Sequence, residues 1–114
     1  MNVKKFEIVI LETVRQFLKS LDKKTSTKIV FNMRKAQVIV DPELFKKLTD
    51  EIWEFRTKYN KNYYRLLAFW DKSDKKETLV ICAHGFIKKT KKTPKSDIEK
   101  ATLIMKKYFD HESK

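Results

Sequence analysis

The sequence predicts an α+β domain, a small twisted and mainly antiparallel sheet with helices packed on one face, in the order β-α-α-β-β-β-α. Three observations lead there. Apolar residues recur at helical spacing in the first third of the chain and again near its end. From Ile52 onward the period falls to two. Polar, turn-prone clusters separate the period-two runs. At 114 residues the chain has material for one modest core, so residues 1–114 are read as a single domain. Hydrophobic residues make up 41%, which disfavours wholesale disorder.

Taken in order, Lys5 to Leu11 (KFEIVIL) is rich in Ile and Val and reads as the first strand. Glu12 to Leu21 puts Val14, Phe17, Leu18 and Leu21 on one helical face. Thr25 or Ser26 is the expected cap of a second helix carrying Ile29, Val30 and Met33. Its end is open, because Ala36 to Val40 also suits a strand. Asp41 and Pro42 fit the N-cap and first position of a short helical turn through Leu48. Trp53, Phe55, Thr57 and Tyr59 then alternate with Glu54, Arg56 and Lys58, a half-buried strand with a charged face. Asn60 to Asn62 is a turn. Tyr63 to Trp70 is apolar on both faces except for Arg65, as a covered central strand would be. After a turn over Asp71 to Lys76, Glu77 to His84 is a further buried strand. Ile98, Ala101, Thr102, Met105, Tyr108 and Phe109 form the last helical stripe. That helix starts either at Thr93-Pro94 or with a Ser96/Glu99 capping box.

Charge narrows the function. The net charge is +12, and it is uneven. Residues 1–55 carry 11 Lys/Arg against 8 Asp/Glu, whereas residues 56–114 carry 16 against 7. The densest stretch, HGFIKKTKKTPK from His84 to Lys95, holds five lysines (Lys88, Lys89, Lys91, Lys92 and Lys95) and no carboxylate. A lysine run is often only a solvated loop, but five uncompensated cations repel one another and favour an anionic partner. A phosphate backbone fits best. No apolar stretch reaches the roughly 18 residues of a membrane span, no signal peptide is evident, and Cys82 is the lone cysteine. A cytoplasmic protein without membrane contact is expected.

Two arginines join the lysines. With a two-residue loop at Asn60-Lys61, Tyr59 pairs with Asn62 and Arg56 stands opposite Arg65. With a three-residue loop Arg56 faces Leu66 instead. Like charges across a sheet are destabilising, so the first register implies an anion or an acidic neighbour. Arg56 alone reads as a solvated strand residue. Arg65, among Tyr63, Tyr64, Leu66 and Leu67, needs a partner when buried: either a bound anion or a salt bridge to Glu54. His84 and Cys82 read first as packed core residues. The aromatics are mostly core, with one exposed member free to stack on a base.

Several chemistries lack their residues. The single glycine, Gly85, rules out a phosphate-binding loop, two histidines and one cysteine cannot build a zinc site, and no acidic pair lies near the basic face for magnesium. The chemistry left needs no cofactor: the ribose 2′-hydroxyl attacks its neighbouring phosphate while cations neutralise the transition state. Arginine suits that task by holding phosphate bidentately. A lysine moves protons only if crowding lowers its pKa.

The run EFRTKYNKNYYRLLAFW, an apolar strand, and then HGFIKKTKKTPKSDIEKA resembles the RelE/ParE/HigB toxin superfamily, in particular its phage-derived HigB-like branch, over about Leu48 to Phe109. The resemblance implies a RelE-like domain acting as the toxin of a type II toxin–antitoxin pair, a metal-independent endoribonuclease cutting mRNA on the ribosome. It implies Arg65 as transition-state stabiliser, Arg56 as phosphate clamp, and Lys88 or Lys89 as proton-transfer groups or further clamps. Lys58, Lys91, Lys92 and Lys95 would contact RNA, with Tyr64 and His84 as candidates for stacking or proton transfer. It also implies a cognate antitoxin, expected to carry a helix-turn-helix domain. One departure is Glu54, which stands where RelE-type strands present a lysine. The general base is thereby left open, with Glu54 itself a candidate. Alternatives from other classes are a ParE-like gyrase inhibitor without nuclease activity and a non-catalytic nucleic-acid-binding domain.

Overall fold

A computed structural model describes residues 3–75 and 78–112. Its elements are β1 (Glu7–Ile10), α1 (Glu12–Ser20), α2 (Lys23–Val38), β2 (Phe45–Lys47), β3 (Trp53–Tyr59), β4 (Asn62–Asp71), β5 (Leu79–Lys88) and α3 (Lys95–Glu112). The five strands form one mixed sheet in the order β1-β5-β4-β3-β2. Only β1, beside β5, runs parallel to its neighbour. The fold is thus α+β and compact, with the apolar strand β4 at the centre, as its sequence suggests.

Four expectations need correction. Helices cover both faces of the sheet, not one. Val14, Ile29, Met33 and Ala36 of α1 and α2 pack with Phe55, Leu66, Ala68, Val80 and Cys82. On the other face Ala101 and Met105 of α3 pack with Leu67, Phe69, Ile81 and Ala83. The expected helical turn begins at Asp41, whose carboxylate accepts the Glu43 N–H at 2.9 Å, but it ends before Phe45 rather than at Leu48; β2 follows, pairs with β3 and stacks Phe45 on Phe55, ring centroids 4.3 Å apart. An additional strand therefore precedes β3. The cap of α2 is Asp22, whose carboxylate accepts the Thr25 backbone N–H at 2.9 Å, so the helix starts before Thr25. That hydrogen bond holds the Asp22 carboxyl below its usual range. Finally, β5 does not stop at His84 but runs on to Lys88. Its expected first residue, Glu77, lies with Lys76 outside the described residues.

The open question at the end of α2 resolves as helix through Val38. There Gln37 Nε2 donates to the Phe6 carbonyl at 3.0 Å and ties the helix end to the segment before β1.

Two local features aim the polar side chains. Asn60 and Lys61 both have left-handed backbone, φ 49° and 66°, as a two-residue hairpin whose twist matches its strands requires. Tyr59 then pairs with Asn62, and Arg56 with Arg65. The second feature is a bulge. Leu67 pairs with His84 while Ala68 pairs with Cys82, leaving Ala83 as the extra residue of β5. The Thr13 hydroxyl of α1 donates to the Ala83 carbonyl. Through this bulge Ile81 and Ala83 reach the α3 face, and so do His84, Phe86 and Lys88. Without the extra residue, Ile87 would point where Lys88 does.

Candidate functional site

Helix α3 crosses only part of its sheet face. Beyond it an open cavity of about 400 Å³ is lined by Arg56, Tyr63, Arg65, Lys88, Lys89, Thr90 and Lys91. β3 and β4 supply the arginines, β5 supplies Lys88, and the connection to α3 supplies the rest. Among the described residues no carboxylate lines it.

The acidic neighbour lies underneath. Glu54, two residues before Arg56 on the same strand face, is 3% exposed. Its Oε1 lies 3.4 Å from Arg65 Nε and its Oε2 3.7 Å from Arg56 Nε. Both contacts are within ion-pairing reach, yet neither Nε makes an aligned hydrogen bond, and both atoms are buried. Arg56 Nη1 donates to the Pro42 carbonyl at 3.2 Å and Arg65 Nη1 to the Tyr64 carbonyl at 3.1 Å. Each guanidinium is thus held from behind, with its Nε edge toward Glu54 and one Nη on a carbonyl. The remaining donors are left for a ligand, and planar guanidinium forks suit phosphate. Glu54 offsets the repulsion between two paired cations but cannot neutralise both, so the cleft keeps a net positive charge.

Burial lowers the pKa of Arg65, partly restored by Glu54 and lowered further by Arg56; a guanidinium stays protonated regardless. Lys88 has a lowered pKa as well. Burial is the main cause, the positive charges of Arg65, Arg56 and Lys46 add to it, and Glu54 opposes it. A lysine poised in that way is a better proton acceptor than a solvated one.

The profile of the family described as Phage derived protein Gp49-like (DUF891) matches residues 16–106. The chain belongs to the Gp49-like family. That family is associated with RelE-like toxin–antitoxin toxins. No curated protein matches the sequence. The match spans every residue of the cleft, so the lysine loop and both arginines are features of this Gp49-like domain rather than of an appended tail.

Of the residues singled out from the sequence, Arg56, Arg65, Lys88, Lys89 and Lys91 meet in the cleft; Lys92 and Lys95 are exposed outside its lining. Lys58 stands next to it, its Nζ 5.5 Å from the Tyr63 ring centre. Tyr64 points the other way. It is 6% exposed and belongs to the core under α1 and α2, so it has no free ring face for a base. His84 is absent from the lining; its Nε2 lies 2.7 Å from Asp97 Oδ1, a tie between β5 and α3. Cys82 is fully buried, and burial pushes its thiol pKa up.

Three residues in or beside the cleft of this Gp49-like domain escape the sequence reading. Tyr63 is the exposed aromatic of the cleft, flanked by Lys58 and by Arg65, 5.8 Å from its ring centre. Its signal is present in the sequence: once Arg65 faces the cleft, residue 63 shares that face and residue 64 cannot. Thr90 and Thr93 have no such signal, since loop residues carry no period. Among the described residues no group of three or more His, Cys, Asp or Glu is placed to hold a metal ion. No described helix is long and apolar enough to cross a membrane.

Proposed function

We propose that this protein is the toxin of a type II toxin–antitoxin pair, of the HigB-like kind, and that it cleaves mRNA on the ribosome without a metal. One observation carries the reading: Arg56 and Arg65 stand as a cross-strand pair beside Lys88 in a single cleft. A sheet tolerates such a pair at a cost, and a dianionic phosphorane is the species that best repays it. The family's association with toxin–antitoxin toxins supports the same reading.

In the proposed reaction the ribose 2′-oxygen attacks the adjacent phosphorus and the bond to the 5′-oxygen breaks. The products are a 2′,3′-cyclic phosphate and a free 5′-hydroxyl. Arg65 lies deepest and stabilises the charge that develops on the non-bridging oxygens, while Arg56 clamps the phosphate. Lys88, with its lowered pKa, accepts the 2′-hydroxyl proton, the departing 5′-oxygen takes a proton from water at the open rim, and Lys89 adds charge there. Glu54 is already engaged, its oxygens facing two guanidiniums and the Thr93 hydroxyl. Tyr63 supplies a stacking surface for a neighbouring base. A cognate antitoxin, expected to carry a helix-turn-helix domain, holds the toxin inactive, and the ribosomal substrate makes the site of action cytoplasmic.

Induced expression in a bacterial host tests this directly. Rapid translation arrest with new mRNA 5′ ends inside codons is the expected result. Intact mRNA together with DNA-damage signalling would overturn it in favour of a ParE-like gyrase poison. Undisturbed growth would leave only a nucleic-acid-binding domain.

A further inference from the structure

The lysine-bearing connection from β5 to α3, residues 89–94, contributes Lys89, Thr90 and Lys91 to the lining of the cleft and is tied at one point to the carboxylate beneath the arginines. Thr93 Oγ1 donates to Glu54 Oε1 at 3.1 Å. The accepting oxygen is the one that lies 3.4 Å from Arg65 Nε. Thr93 is part-buried, whereas Lys89, Thr90, Lys91 and Lys92 around it are exposed. Within the connection, the Thr90 hydroxyl donates to the Lys92 carbonyl at 2.6 Å and tightens the turn. No other side-chain bond joins this loop to the sheet among the described residues. Four mutually repelling lysines, Lys88, Lys89, Lys91 and Lys92, would by themselves spread the loop away from two arginines.

We propose that Thr93 is a positioning residue: through Glu54 it anchors the 89–94 loop so that Lys89 and Lys91 stay on the rim of the arginine cleft and both engage the nucleic-acid backbone. The inference rests on the proposed RNA-binding role of the cleft. Glu54 then has two linked tasks. It orients the guanidiniums from behind, and it lends the same carboxylate to the loop, so floor and rim are set by one group. A hydrogen bond to a charged carboxylate is among the stronger single contacts a hydroxyl makes.

The test uses the purified full chain and a short, labelled single-stranded RNA carrying 2′-O-methyl groups, which removes the nucleophile and leaves binding alone to be read. Affinity is measured across a salt series, because on a single strand each phosphate that a cation neutralises adds roughly 0.7 to the slope of log K against log salt. Thr93→Val should weaken binding by about three- to tenfold and reduce the slope by roughly 0.7 to 1.4. Thr93→Ser, which keeps the hydroxyl, should restore both. In a Lys89→Ala/Lys91→Ala background the slope is already reduced, and adding Thr93→Val should change nothing further. A Thr93→Val protein that matches wild type in affinity and slope overturns the inference and leaves the nuclease reading standing. Parallel losses in Thr93→Val and Thr93→Ser also overturn it, since packing rather than the hydroxyl would then be responsible. Failure of the wild-type protein to bind the RNA defeats the underlying RNA-binding role instead.

Discussion

On the face of the sheet that α3 crosses, β4 and β5 carry two unlike halves a few residues apart. One holds Leu67, Phe69, Ile81 and Ala83, each at most 1% exposed, beneath Ala101 and Met105 of α3. The other holds Arg65 and Lys88, joined by Arg56 from β3, and α3 leaves it open. The covered half removes apolar surface from water and stabilises the fold. The open half opposes folding, since it buries two guanidinium Nε atoms without aligned partners and sets like charges side by side. The strands are longer than the core needs, and their surplus length presents charge.

The largest expected contrast follows from one substitution in each half. Arg65→Ala should reduce cleavage by about 10²–10³-fold, as removal of a transition-state charge partner does, and abolish growth arrest. Circular dichroism should still report a folded protein, because Arg56 and Thr93 remain as partners for Glu54. Lys88→Ala/Lys89→Ala should likewise end arrest, and Arg65→Lys should rescue poorly, lacking the planar fork. Ile81→Ala in the covered half should cost about 2–5 kcal/mol in denaturant unfolding while cleavage per folded molecule is retained. Equal losses of activity per folded molecule in Arg65→Ala and Ile81→Ala would erase the division.

The covered half is legible in the sequence because periodicity reports burial: Val14, Phe17 and Leu18 of α1, and Ala101 and Met105 of α3, fall where their spacing puts them. The hairpin register is legible as one of two alternatives, and the left-handed pair Asn60-Lys61 selects the one that pairs Arg56 with Arg65. Less is readable where an element departs from a uniform period. The bulge at Ala83 adds a residue to β5, and no local composition announces it, so the sequence suggests a strand ending at His84 with the lysines in a loop. β2 is short, 3 residues, and Asp41-Pro42 ahead of it resembles a helix start as much as a turn. That helices lie on both faces depends on the path from Lys88 to Lys95, which is a tertiary matter. The contact between Arg65 and Glu54 is legible as one of two partners for a buried arginine, but residue type does not say that a second guanidinium and the Thr93 hydroxyl close over the same carboxylate.

Gly85 marks where β5 passes from one half to the other, and it offers a smaller effect of mixed character. A Cβ built there would lie 2.8 Å from Phe17 Cγ and 2.9 Å from Leu66 Cδ2, closer than real Cβ atoms approach. Glycine in a strand interior often marks such a close approach. Gly85→Ala should therefore destabilise the fold by about 1–3 kcal/mol. Unlike Ile81→Ala, it should also lower cleavage per folded molecule, because the displaced strand carries Lys88 three residues on. Wild-type unfolding for Gly85→Ala would mean that α1 shifts freely over the sheet, and the rigidity assumed for the open half would go with it.

The finest expected effect concerns proton transfer in the open half. Burial lowers the Lys88 pKa, Arg65 and Arg56 lower it further, and Glu54 raises it. As a proton acceptor Lys88 works only when neutral, so the rate rises with pH up to its pKa and levels off above it. Glu54→Gln removes the charge that favours the protonated form, and the rising limb should move to lower pH. Arg56→Gln removes a repelling cation, and the limb should move to higher pH. Both variants lose rate, since both residues hold the phosphate or its clamp, but the opposite displacements do not depend on how much rate is lost. Measuring single-turnover cleavage across the alkaline range in the three proteins separates the cases. Limbs that coincide would remove Lys88 from the proton-transfer step and leave it a phosphate contact, with the arginine pair stabilising the phosphorane while solvent or the ribosome takes the 2′-hydroxyl proton.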